Sequence, residues 1–541
     1  MTFDVLLNQV INETLQVSIC RFSPELIVSA TIIALLLTRL FGIDRWVTPY
    51  WTTLIGSLIA LGSATQQFLM LQQGELAAGE YFTGLMVFDG LTAFLRIFLL
   101  LFLILVTVLT VLSGIPDLED GPDFYTLLLG STLGMMIMGG ANHLLMLFLG
   151  IEMTSVPSYA MVGYLKGRRQ SSEAALKYVV YGAGAAGVML YGISLIAGML
   201  GTGDLSEIAQ KISLLVGTAP GFDTPVLRTL SLAILMVFVG LAFKLSLVPF
   251  HFWCPDAFEG ASAEVAGYLS VASKAAAFGL LIRFCLALMG NTGVEQSTST
   301  YLHLGIGLGF IAMISATYGN LAAYTQTNVK RLLAYSTIAH AGYMLMAVSA
   351  MMVVLNAPAG SSLSVAQQNE LATGSIQGLL YYLVVYLFMN LGAFAIVALI
   401  RNEIFSEEIA SYRGLARQAP VLCVCMMICL FSLIGVPPMA GFFGKFFVFA
   451  SVFQATEVHW SMWLVLIVGG INTVFSLYYY LIILKAMFLD ERPIGAKSVH
   501  IPMNPCGWYV VFVTAPILVL VLCTEQLTLT ARHVAAGLFH L

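Results

Sequence analysis

"GLAFKLSLVPFHFWCPDAFEG" (residues 240–260) places Lys244 five residues ahead of Pro249 inside a strongly apolar run. A lysine charge and a proline's missing N–H are each unfavourable in a helix that crosses a bilayer. Their coincidence argues against a simple anchor.

The surrounding chain is that of a polytopic membrane protein. Of its 541 residues, 59% are hydrophobic and 9% are charged, against about 25% charged in an ordinary soluble domain. Long unalternating apolar runs predict an all-α fold, because lipid requires each backbone group to be satisfied within its own segment. Fourteen spans are expected near 24–41, 51–71, 85–113, 124–140, 142–165, 173–200, 229–253, 263–289, 301–321, 329–354, 376–400, 420–452, 461–487 and 507–524. No linker divides them, so 1–541 reads as a single membrane domain. The N-terminal "MTFDVLLNQVINETLQ" lacks the basic region of a cleavable signal peptide, and the first apolar run is expected to stay as a helix.

Loops after odd-numbered spans hold thirteen lysines and arginines, Lys166, Lys330 and Lys497 among them, against five (Arg21, Lys211, Arg228, Arg283 and Arg532) on the other side. The positive-inside rule then puts both termini outside. The net charge of −5 is spread over short loops, and no basic block suits nucleic acid. Cys423, Cys425 and Cys429 form the one cysteine cluster. Without a histidine or a paired CxxC, it reads as packing rather than a metal site.

Arg96, Lys177, Lys244, Lys274 and Lys445 fall within expected helices. A lysine near the bilayer centre costs about 3 kcal/mol or more. Helical rise puts Glu152 and Lys274 each ~15 Å deep, beyond comfortable snorkelling range. Lys244 and Lys445 are similarly remote from loops, whereas Lys177 lies a turn inside its span, where snorkelling competes with a buried role. Asp89 and Arg96 share a face and read as structural or interfacial. Three buried lysines cannot all be neutralised by Glu152. Burial disfavours an ammonium and a nearby carboxylate favours it, so a lysine whose partner approaches and retreats is a switchable proton carrier. His340, about eleven residues into its span, is a candidate proton relay or an interhelical hydrogen-bonding group. His251, beside Pro249, has no clear role.

Span 12 repeats the opening theme, with "LIGVPPMAGFFGKFF" holding Pro437, Pro438 and Lys445. Two interrupted spans five helices apart are the mark of inverted repeats, here spans 4–8 (124–289) and 9–13 (301–487), flanked by 1–123 and 507–524. No nucleotide loop or redox-centre motif is present in the sequence, so electron transfer is expected to lie in other subunits.

"FKLSLVPFHFWCPDAFEGASAEVAGYLSVASKAAAFGLLIR" (243–283), "NVKRLLAYSTIAHAGYML" (328–345) and "GVPPMAGFFGKFFVF" (435–449) closely resemble the antiporter-like subunit N of NADH–quinone oxidoreductase, respiratory complex I. The resemblance runs from about span 3 to span 13. It implies fourteen helices, two inverted repeats and a water-lined polar axis at mid-membrane. By motif, Glu152 pairs with Lys244, Lys274 and Lys445 continue the proton path, and Lys177 matches a further family lysine. Lysine rather than glutamate on span 12 resembles subunit N more than subunit M.

The resemblance also implies neighbouring antiporter-like and small membrane subunits, with flavin mononucleotide, iron–sulfur clusters and quinone held elsewhere in a bacterial inner-membrane complex. A cation/proton antiporter of the Mrp type, a related hydrogenase subunit and an assembly scaffold with structural ion pairs are the alternatives. The chain departs from the family at "EGASAEV" (259–265), where "EGAPTPV" is usual: two prolines are lost and Glu264 is gained.

Overall fold

The computed structural model describes residues 11, 13–116, 120–165, 167–218, 225–289, 295–358, 363–493 and 504–539. Lys166, Lys497 and most of the N-terminal stretch lie outside them. The chain is an all-α membrane protein with one small hairpin, in which Gly79–Tyr81 pairs antiparallel with Met86–Phe88.

Among the described residues, twelve helices are long and apolar enough to cross a membrane. The expected spans near 124–140 and 420–452 fall outside these twelve. The first is the helix Gly121–Gly139, and the second is the shorter pair Pro420–Ile434 and Ala440–Ala455. Proline opens several helices at the position where its missing N–H has no partner to lose, as at Pro49, Pro420 and Pro505. Helix Val365–Ile404 runs 40 residues behind a Ser364–Gln367 capping box. Its length, roughly 60 Å, exceeds the hydrocarbon core, so its polar first turns extend past the expected 376–400 span.

Burial grades the helices between two extremes. Ala263–Met289, Val329–Leu355 and Val365–Ile404 are almost wholly enclosed, whereas Ser23–Leu40 and Pro49–Gln73 expose most of their surface. A helix apolar on every side belongs either in a large core or against lipid, and this molecule uses both. The enclosed group carries Lys274 and His340.

Both interrupted spans break, but the first breaks earlier than Pro249 suggests. Helix Pro225–Leu245 ends one residue after Lys244, and a second helix resumes at Trp253–Gly260. Ser246 takes a left-handed conformation at φ 58°, Leu247 N–H donates to the Ala242 carbonyl, and Ser246 N–H donates to that of Phe243. This is a Schellman-type termination. A left-handed backbone is uncommon for serine, and this stop lies upstream of any effect of Pro249 on the residue before it.

The buried charges outnumber those expected. Arg96 is fully enclosed and donates to Glu25 Oε1 at 2.7 Å, to Gln67 Oε1 at 3.0 Å and to the Tyr81 hydroxyl at 3.0 Å. Asp89 caps its helix through Thr92 N–H and receives both arms of Arg283, at 2.8 and 2.7 Å. Asp89 and Arg96 therefore serve separate clusters despite their common face. Arg283 and Lys330, counted above among loop bases, are instead buried inside helices. Glu152 is accordingly not the sole buried acid: Glu25, Asp89 and Glu264, each at the start of its helix, are more fully enclosed than it is.

Candidate functional site

Lys244 occupies the last turn of its helix, where the carbonyl ends and the helix dipole favour a cation. Its Nζ donates to Ser155 Oγ at 3.0 Å. Ser155 belongs to helix Leu144–Val162, which also carries Glu152. Glu152 is half-buried and within electrostatic reach of Lys244, but no ion pair within 4.0 Å joins the two. The serine fills the place a carboxylate would take. The broken segment packs around this end: Trp253 donates its indole N–H to the Phe243 carbonyl at 3.0 Å and stacks on Tyr178 at 4.2 Å.

Lys445 solves the same problem with different connectivity. It lies in helix Ala440–Ala455 and donates to the carbonyl of Ile434 at 2.9 Å, the last residue of the preceding helix. Each lysine thus sits against the carbonyl end of an interrupted helix, one on its own and the other on its neighbour. Gly435 permits this: its φ is 87°, and a Cβ there would stand 3.1 Å from Lys445 Cδ. The Lys445 ammonium also lies 4.5 Å from the centre of the Tyr343 ring, a cation–π contact.

Lys274 donates to the Thr337 carbonyl at 2.8 Å. That carbonyl lies within a hydroxyl cluster in which Ser270 Oγ is 3.1 Å from Thr337 Oγ1 and 3.3 Å from the Tyr386 hydroxyl. One turn further, His340 bridges two phenols: Nδ1 is 2.6 Å from Tyr382 and Nε2 is 3.2 Å from Tyr480. Tyr480 in turn contacts Ser336, and Tyr343 receives the Asn320 amide at 3.1 Å. A buried hydroxyl requires a partner, and here the partners form two neighbouring clusters, with the centre of the His340 ring 5.3 Å from that of Tyr386. Sequence reasoning missed these tyrosines. The available signal was Tyr382 and Tyr386, four apart on one face of a membrane helix.

Lys177 stands apart from this axis. Its side chain is 40% exposed and pairs with Asp256 at 2.8 Å and Glu173 at 2.9 Å. Asp256 also binds Arg331 at 2.7 Å, so it ties the first half of the chain to the second. Asp256 lies outside the spanning helices. Burial raises its pKa, but hydrogen bonds from Lys177 and Arg331 outweigh that and hold the carboxyl below its ordinary value. A lowered folded-state pKa means stabilisation that is present at neutral pH and lost as pH falls through the carboxylate range. Asp256→Asn should therefore lower stability by about 1 kcal/mol, since the site is partly exposed. Thermal unfolding in detergent should show that difference near neutral pH and lose it in acid. His251 is buried beside Tyr318, with both ring nitrogens lacking hydrogen-bond partners among the described residues.

The fold and its line of buried bases between two interrupted helices define the class of antiporter-like membrane proteins. The family model described as NADH:quinone oxidoreductase/Mrp antiporter, TM, matches residues 141–358 and 363–476. NADH-quinone oxidoreductase subunit N of Chlorobium chlorochromatii is 38% identical over 91% of this chain and 89% of its own length. That of Anaeromyxobacter sp. is 38% identical over 81% of each. A chain of respiratory complex I from Thermus thermophilus superposes with a TM-score of 0.71 at 30% identity, covering 95% of this chain and all of that one. A chain of the Mrp complex from Dietzia sp. has a TM-score of 0.76 at 17% identity, covering 96% of this chain and 97% of its own, and shares the fold alone. The chain belongs to the subunit N family of NADH–quinone oxidoreductase.

Proposed function

We propose that this chain translocates protons as the subunit N of a complex I-type NADH:quinone oxidoreductase in a bacterial inner membrane. The supporting observation is the state of Lys244, Lys274 and Lys445. Each is buried and donates to one neutral oxygen, and none has a carboxylate within 4.0 Å among the described residues. A buried ammonium so sparsely compensated is unfavourable, which brings the neutral amine within reach and lets each lysine gain and lose a proton.

In this reading Glu152 adjusts the charge on Lys244 by moving toward or away from it. Lys274 passes the proton along the hydroxyl cluster, His340 and its phenols relay it, and Lys445 releases it on the far side. Lys177 acts at the edge, through Asp256. Quinone reduction in other subunits drives the cycle, and those subunits hold the flavin and iron–sulfur centres. The basic loops face the cytoplasm and both termini face outward.

Copurification tests the assignment. An assembly that carries flavin and iron–sulfur subunits supports it. A purely membrane set of partners favours a cation/proton antiporter instead.

A further inference from the structure

Glu264 opens the helix Ala263–Met289, ten residues before Lys274. It is 1% exposed, and its Oε2 is buried without a hydrogen-bond partner among the described residues. Native proteins leave few buried oxygens unmatched, and an unmatched protonatable one points to water or a moving proton.

The surroundings give a direction. Lys330 Nζ donates to the Ala261 carbonyl at 2.6 Å, three residues before Glu264, and lies within electrostatic reach of its carboxylate. The same ammonium pairs with Glu407 at 2.9 Å, whose side chain is 13% exposed, and Arg401 lies 3.8 Å from Glu407. Lys330 is thus already compensated by Glu407, and Glu264 is not needed as its counter-ion. Glu407, partly exposed in the basic loop after helix Val365–Ile404, stands next to Lys330, and Lys330 lies within electrostatic reach of Glu264. About 9 Å further along the helix stands Ser270, whose hydroxyl joins Thr337, Tyr386 and Asn390 next to Lys274.

We infer that Glu264 is a proton-carrying carboxyl at the inlet of the axis, delivering protons that arrive past the Glu407–Lys330 pair to Lys274. The carboxylate takes a proton delivered from bulk as hydronium, leaving water, and becomes a carboxylic acid. It returns to carboxylate as the Lys274 amine becomes an ammonium, and no electrons move. The inference rests on the reading of Lys274 as a carrier. It also gives the "EGASAEV" departure a function: an acid is gained where the helix begins.

The test uses the assembled complex in sealed membrane vesicles, measuring NADH-driven proton uptake and protons moved per NADH. Glu264→Gln keeps the shape and removes the titration. It should slow proton uptake about threefold or more, with normal assembly, while Glu264→Asp restores most of it. A purely structural role would instead reduce assembled yield, and the aspartate variant would not rescue transport. Should Glu264→Gln fail to assemble, Glu407→Gln carries the test, with the same slowing expected and unchanged uptake overturning the inlet. Lys274→Ala is measured in parallel. Wild-type uptake in Glu264→Gln with loss in Lys274→Ala overturns the inlet and leaves the carrier reading standing. Wild-type uptake in both overturns the carrier reading itself.

Discussion

Lys244→Ala is expected to cut NADH-driven proton pumping by at least about tenfold in a complex that still assembles. The lysine makes one hydrogen bond, to Ser155, and no ion pair within 4.0 Å, so little structure depends on its charge. Alanine removes an unfavourable buried ammonium and leaves a small cavity, two opposing effects on stability. The carrier function has no such compensation. Pumping that stays normal in Lys244→Ala would make this lysine a structural group.

Asp89→Ala should produce the opposite pattern, with stability lost and no direct effect on the proton axis. Asp89 and Arg283 meet through two hydrogen bonds and are 2% and 8% exposed. Removing the carboxylate strands a guanidinium in the interior, at a cost of about 3–5 kcal/mol. Assembled yield and thermal stability in detergent should both fall sharply. Replacing the pair together, as Asp89→Leu with Arg283→Met, should recover much of the loss, because two apolar side chains leave no charge unmatched. A double variant as unstable as the single one would assign the damage to lost helix capping at Thr92 instead.

These contrasting outcomes reflect which parts of the site were legible in the sequence. Lys244, Lys274 and Lys445 stood out because a charge in a long apolar run is conspicuous whatever the tertiary fold. Their partners were not legible. Ser155 is one of several small polar residues on its helix, and the Ile434 and Thr337 carbonyls carry no sequence signal at all. Arg283 and Lys330 looked like loop bases because both fall near expected span ends. Their burial depends on Asp89 and Glu407, 194 and 77 positions away in the chain. The break in the opening stretch was foreseen from Pro249 but occurs at Ser246, where a left-handed residue rather than proline stops the helix. Helix Leu205–Thr218 lies between the expected spans 173–200 and 229–253 and was not foreseen.

The tyrosine cluster marks a different limit. Aromatic residues in a membrane protein are ordinarily read as packing, and Tyr382, Tyr386 and Tyr480 do pack. Their hydroxyls nevertheless converge on His340 and Ser270 from two helices, Val365–Ile404 and Ser461–Phe488, which only the fold reveals. Tyr382→Phe preserves the ring and removes one end of the histidine bridge. If His340 relays protons, this variant slows pumping with little change in stability.

The buried lysines carry protons in this mechanism, and Lys274 tests that most directly because it binds the hydroxyl cluster one turn before the His340 bridge. The measurement is protons translocated per NADH oxidised by purified complex in proteoliposomes, comparing wild type with Lys274→Ala at equal assembly. A large fall in that ratio, or in coupled turnover, is the predicted result. Wild-type turnover with the wild-type ratio would contradict the account.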